Sequence, residues 1–195
     1  MQHLMTRLAG MRTKLASEKI LLFLDGDGTL VPFSGAVHRL LAKLTRLHGV
    51  DLAFVSGRSL ADLESEVNLK RVFYAGHHGL EVRGPNGDRL SSPGNVLRRG
   101  TAFLAPQACG KGAAVCRILT AVKRFRGPNV QCFYLGEDPT AEEAFCELGS
   151  NAVTVKVSQT GSEKTAARYF LRNVHDVFAF LQKLYQCRVE KDDAL

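Results

Sequence analysis

Two carboxylates stand two residues apart in Asp25-Gly26-Asp27-Gly28-Thr29, directly after the apolar run Ile20-Leu21-Leu22-Phe23-Leu24. A run this short reads as a buried strand rather than a bilayer span. Both carboxylates therefore leave the carboxyl end of that strand together, which is the edge where open α/β sheets bind ligands. Paired carboxylates, with a glycine on each side of the second and then a hydroxyl, suit phosphoryl transfer through an aspartyl-phosphate. The expected activity is that of a phosphatase.

Other groups able to work on a phosphate recur at the ends of later apolar runs. Ser56-Gly57-Arg58-Ser59 follows Asp51-Leu52-Ala53-Phe54-Val55, so that a hydroxyl and backbone amides ahead of a helix can meet an anion; taken alone it is also an ordinary strand-to-helix turn capped by Ser59. Lys111 lies between Gly110 and Gly112 at a helix start, where its ammonium can neutralise a phosphoryl oxygen. It is not a Walker lysine, because Ala105 occupies the first glycine position and no Ser or Thr follows. Gly136-Glu137-Asp138 brings a second acidic pair to the end of a fourth run. Clustered carboxylates repel unless a cation sits between them, and oxygen donors beside a phosphate site suggest Mg²⁺. The adjacent His77 and His78 point to opposite faces of an extended chain and are assigned a structural role.

The elements that must position these groups alternate between strands and helices, the pattern of a parallel sheet with crossover helices. Strands are expected at Ile20–Leu24, Asp51–Val55, Arg71–Tyr74, Val130–Leu135 and Ala152–Val157. Helical stripes run through Val37, Leu40, Leu41, Leu44 and Leu47, from Ser59 to Val67, from Lys111 to Phe125 before Gly127-Pro128, and from Val174 to Tyr185. Thr140 and Glu143 have the spacing of a capping box. Leu80–Arg83 and Asp88–Leu90 flank an Asn-Gly turn and predict a hairpin. Ser91 to Gly110 shows no periodicity.

The chain has 195 residues, of which 45% are hydrophobic, enough for one substantial core. Its net charge of +7 comes from basic residues spread along the chain, including Arg98, Arg99, Lys123, Arg124 and Arg126. With no basic tract or aromatic-interleaved patch, this predicts a solvated surface that steers anions rather than a nucleic-acid site. The five cysteines form no CxxC pair, and the N-terminus has no signal-peptide pattern. A cytoplasmic protein without a membrane segment is expected, led by a helix with Leu4, Leu8, Met11 and Leu15 as its apolar stripe.

Taken in order, Asp25-x-Asp27-x-Thr29, Ser56-Gly57-Arg58, Lys111 and Gly136-Glu137-Asp138 resemble the four motifs of the haloacid dehalogenase superfamily. Gly76-His77-His78-Gly79-Leu80-Glu81 and the Gly136-Glu137-Asp138-Pro139-Thr140 frame are similar to the trehalose-6-phosphate phosphatase branch. The resemblance runs from about Ile20 to Leu184 apart from the region before Lys111. It implies a Rossmann-like α/β core with helices on both faces, Mg²⁺ as cofactor and a small phosphorylated sugar as substrate. It also implies roles: Asp25 attacks phosphorus, Asp27 protonates the leaving oxygen and then activates water, and Ser56 and Lys111 hold the transferring oxygens. Thr29, Gly57 and Arg58 join in binding phosphate. Asp25, Asp27, Glu137 and Asp138 hold the metal, with Glu137 expected as the direct acidic-pair ligand and Asp138 in direct or indirect contact.

The chain departs from that family at four points. Glu137 and His77 stand where the family usually has Asp and Asn, and Ala141 replaces an Asp. The family's sizeable cap is reduced to the stretch from residue 84 to 110, so the chain is expected to be a single core over residues 1–195 without a full cap domain. Either that loop or a second copy of the chain is expected to close the site over a sugar phosphate. The alternatives are a capless phosphatase for a larger anionic substrate, a phosphoprotein or polynucleotide end, and a catalytically weak regulatory homologue.

Overall fold

The structure, a computed structural model, describes residues 1–26, 35–90 and 110–192. Asp27, Gly28 and Thr29, and the sequence from Ser91 to residue 109, lie outside them. Among the described residues eight strands form one sheet: β1 (Gln2–His3), β2 (Ile20–Asp25), β3 (Val50–Val55), β4 (Phe73–Gly76), β5 (Glu81–Arg83), β6 (Gln131–Gly136), β7 (Val153–Val157) and β8 (Tyr169–Leu171). Their order is β1-β8-β7-β6-β2-β3-β4-β5. Only the β4–β5 pair is antiparallel. The helices are α1 (Arg12–Leu15), α2 (Gly35–Leu44), α3 (Leu60–Val67), α4 (Lys111–Arg126), α5 (Ala141–Leu148) and α6 (Val174–Asp192).

Side chains on a strand alternate between faces, so β2 feeds two cores. Ile20, Leu22 and Leu24 pack in one cluster with residues of α1, α2, α3 and α6, whereas Leu21 and Phe23 pack in another with α4 and α5. All six residues of β2 are buried, as both faces of the sheet are covered. The register places Leu24 beside Leu135 and Asp25 beside Val55, so the chain leaves β2, β3 and β6 at nearly one level. From central β2 the path goes outward through β3 on one side and later returns to β6 on the other. That reversal is a switch point, the place where such sheets open a ligand crevice.

The expected parallel α/β architecture is present, with three revisions. Beyond the five expected parallel strands and the hairpin arm, the described sheet adds β1 and β8, which at two and three residues are too short to produce a periodic pattern. The third strand starts at Phe73 rather than Arg71, because Arg71 takes a left-handed backbone with φ 64°. The hairpin's first arm, β5, pairs with β4, and its second arm shrinks to an Arg83–Arg89 bridge around a turn closed by the Gly84 N–H on the Asp88 carbonyl. Leu4, Leu8, Met11 and Leu15 are all buried as anticipated, although Leu4–Met11 is a 3-10 helix and only Arg12–Leu15 is α-helical. No described helix is long and apolar enough to cross a membrane.

At the sheet's opposite end from the acidic motifs, Arg188 of α6 is 2% exposed and donates to the carbonyls of Ser17 and His48, the turns entering β2 and β3. Arg188→Met would leave both carbonyls without that donor. We expect a loss of about 2 kcal/mol, read as a lower urea midpoint with unchanged slope.

Candidate active site

Alternation along β2 sends Asp25 to the same side as Leu21 and Phe23, beneath the start of α4. There Lys111 opens the helix, and its Nζ lies 2.7 Å from both Asp25 Oδ1 and Oδ2 and 2.5 Å from Asp138 Oδ2. Asp25 and Lys111 are completely buried. An ammonium has three protons, and each here meets a carboxylate oxygen. Burying such charges costs several kcal/mol per ion unless they are paired and hydrogen-bonded, so the three side chains form one unit.

Asp138 reaches the cluster from the far side of β6. Its Oδ1 accepts the Thr140 hydroxyl at 2.7 Å and the Ala141 N–H at 2.9 Å, so Asp138 caps α5. The expected Thr140–Glu143 capping box does not form: Thr140 has a helical backbone, φ −74° and ψ −14°, in place of the extended one a side-chain cap requires, and makes no such bond. Burial pushes the Asp138 carboxyl up, but the Lys111 ammonium, Thr140 and the Ala141 amide together hold it below the usual carboxylate range. Glu137, one residue earlier, is exposed.

Ser56 is buried at the end of β3, where its Oγ accepts the Arg58 N–H at 3.1 Å. The Arg58 side chain turns outward to pair with Glu66 of α3. The Ser56 loop is fastened by the segment after β4. His77 N–H donates to the Arg58 carbonyl, His78 N–H to the Ser56 carbonyl, and Gly110 N–H to the His78 carbonyl at 2.7 Å. One tight turn thus ties the serine loop to the residue before Lys111. To do so, His77 and His78 take left-handed backbones with φ 49° and 52°, which costs side-chain-bearing residues roughly 1–2 kcal/mol each.

Glycines permit this closeness at two points. A Cβ on Gly57 would lie 2.7 Å from the His78 ring, which covers it, and one on Gly79 would lie 2.6 Å from the Ala114 Cβ and 2.9 Å from the Gly110 carbonyl. The imidazole is exposed and can swing aside, but the α4 backbone cannot.

Of the residues singled out in the sequence, the structure brings together Asp25, Lys111 and Asp138, with Ser56 at the neighbouring strand end. Asp27 and Thr29 lie outside the described residues. Among the described residues no three His, Cys, Asp or Glu side chains gather as a metal site. Asp25 and Asp138 nevertheless fit a hard cation, since their oxygens converge on one positive group. Mg²⁺ is commonly held by one or two carboxylates with water and phosphate filling its other positions. The work of the Gly76–Gly79 turn was not legible beforehand; its hint was glycines bracketing two histidines directly after a strand.

No family model matches the chain. It is 28% identical to the trehalose-phosphate phosphatase of Mycobacterium ulcerans over 240 aligned residues, covering 84% of this chain and 60% of that protein, with the same figures for Mycobacterium marinum. A probable trehalose-phosphate phosphatase of Arabidopsis thaliana is 35% identical over 77 residues, 35% of this chain and 22% of that protein. The chain therefore spans less than two thirds of the length of the mycobacterial relatives. The M. ulcerans alignment has more positions, 240, than this chain has residues, 195, so that protein carries residues with no counterpart here. Among solved structures, Aspergillus fumigatus trehalose-6-phosphate phosphatase superposes with a TM-score of 0.72 at 19% identity, covering 91% of this chain and 97% of that one. The C-terminal domain of the Candida albicans enzyme gives 0.71 at 18%, covering 92% and 96%. A haloacid dehalogenase-like hydrolase from Bacteroides thetaiotaomicron gives 0.58 at 12%, covering 85% and 99%. These structural matches speak for the fold.

Two outcomes follow from the site's geometry. Gly79→Ala, with φ +87° and a backbone obstacle, is expected to destabilise by at least about 2 kcal/mol, whereas Gly57→Ala displaces only the imidazole and costs less in thermal melts. Asp138 has a lowered folded-state pKa, so its stabilising contribution is present above the unfolded value, about 4, and is lost as pH falls through the folded value. Stability profiles between pH 6 and 2 should therefore show a shallower acid limb for Asp138→Asn than for the native chain.

Proposed function

We propose that this chain, a homologue of the trehalose-phosphate phosphatases on a haloacid-dehalogenase-like core, is a Mg²⁺-dependent phosphomonoesterase that takes trehalose 6-phosphate to trehalose and phosphate. The observation that carries this reading is the Lys111 ammonium held between Asp25 and Asp138 at the carboxyl end of the sheet. An oxygen of Asp25 attacks phosphorus as the bond to the sugar oxygen breaks, and Asp27 gives the departing oxygen its proton. A water then attacks the phosphorus of the aspartyl-phosphate while Asp27 takes its proton, releasing inorganic phosphate and restoring Asp25.

Lys111 and Ser56 hold the transferring oxygens, joined by Thr29 and the Gly57 and Arg58 backbone. Asp25 and Asp138, together with Asp27 and Glu137, would hold the Mg²⁺. When bound there the ion neutralises charge on the phosphoryl oxygens. Cys116, Cys132, Cys146 and Cys187 are free thiols, which supports a reducing compartment such as the cytoplasm.

A second reading is favoured by one observation: the M. ulcerans relative has residues without counterpart here. If those residues cover the sugar, this chain instead serves a larger anionic substrate drawn by its +7 charge. We expect Mg²⁺-dependent phosphate release from trehalose 6-phosphate above that from an aryl phosphate, abolished by chelation and reduced at least about a thousandfold in Asp25→Asn. Turnover of the aryl phosphate and a phosphopeptide but not the sugar phosphate would favour the second reading. Folded protein silent on all three would overturn both.

A further inference from the structure

A second lysine lies beside the site without a part in the chemistry above. On β7, Val153, Val155 and Val157 pack into the core with α6, so Thr154 and Lys156 face the side covered by α5. Lys156 is 6% exposed. Its Nζ donates to the Asp138 backbone carbonyl at 3.3 Å and lies 3.6 Å from Glu142 Oε1. Glu142 is itself fixed, accepting the Thr165 hydroxyl at 2.6 Å and the Ala166 N–H at 2.8 Å. The lysine thus meets a carboxylate already held in place by the chain after β7.

Asp138 is bound through every oxygen it has. Oδ1 takes Thr140 and Ala141, Oδ2 takes Lys111, and the carbonyl takes Lys156 at 3.3 Å together with the Ala141 N–H at 3.2 Å. Two donors thus hold the Asp138 carbonyl, and of these Lys156 is the one that ties it to another strand, β7, rather than to its own turn. A buried ion pair is a poor source of stability, since well-packed apolar side chains do as well or better. Holding Asp138 in place accounts for a lysine here where stability does not.

We infer that Lys156 is a positioning residue: anchored by Glu142, it fixes the Asp138 backbone so that the carboxylate is set for the cation site. This rests on the phosphatase reading, in which Asp138 holds Mg²⁺. The sign of the effect separates positioning from plain charge. Removing a positive charge near a cation site tightens Mg²⁺ binding by Coulomb's law, whereas losing the support of a ligand weakens it, typically 10- to 100-fold.

The test is Mg²⁺ titration by calorimetry on the purified full chain, with thermal melts on the same samples. Lys156→Met is expected to raise the Mg²⁺ Kd at least about tenfold, with turnover recovering at high Mg²⁺. Lys156→Arg, which keeps charge and donor, should bind nearly as the native chain does. Lys156→Gln, polar but too short for the Asp138 carbonyl, provides the second variant if the methionine chain does not fold. Arg188→Met, remote from the site, should lower the melting temperature without moving the Kd. A folded Lys156→Met or Lys156→Gln with native or tighter Mg²⁺ binding overturns the positioning role and leaves the phosphatase reading standing. Absence of Mg²⁺ binding by the native chain overturns both.

Discussion

The structure is organised around a charge problem. Asp25 and Lys111 are shut off from water and Asp138 meets them from the half-buried rim, and the two carboxylates would repel each other without the ammonium between them. No one element supplies all three. They come from the end of β2, the turn after β6 and the first residue of α4, so the cluster exists only when sheet register and helix docking agree. The cost of an unpaired buried charge makes that agreement strict. Much else near the sheet's carboxyl edge follows from it: the Asp138 cap on α5, the turn linking the Ser56 loop to Gly110, and the close packing of α4 against α5.

What was legible beforehand concerns patterns that are local and long. Six buried residues of β2 and the stripes of α2 and α6 announce themselves because their burial repeats over several turns or residues. The two acidic motifs and the serine loop were legible as well, since each stands immediately after an apolar run, and a parallel sheet brings run ends to one edge. Asp25, Ser56 and Asp138 could be placed near one another on that ground, whereas Lys111 joined them only through the resemblance of the motif order.

What was not legible depends on contacts between distant segments. β1 and β8 are too short for any period: β8 is placed by its pairing with β7, and β1 by β8, with the His3 ring edge-on to Phe170 at 5.0 Å. Thr140 has the spacing of a cap, but the turn after β6 holds its backbone helical and leaves capping of the Ala141 N–H to Asp138. Whether Glu137 or Asp138 turns inward depends on the path of the chain after β6, which adjacent acids do not reveal. The Gly76–Gly79 turn acts through backbone groups, and those are common to all residues.

Lys156 illustrates the same limit from the other side. In Val153-Thr154-Val155-Lys156-Val157 the alternation looks like a strand with one face to solvent, the usual reading of a polar residue at every second place. Here α5 covers that face, so the polar residues are enclosed and must find partners. Thr154 finds the Arg168 N–H, and Lys156 finds Glu142 and the Asp138 carbonyl. A pattern that signals exposure in an open sheet becomes, in a covered one, a record of where polar groups are needed. The need at this spot is in the acidic motif itself, at the Asp138 carbonyl, which ties the edge of the α5 layer to the chemistry at the centre of the sheet.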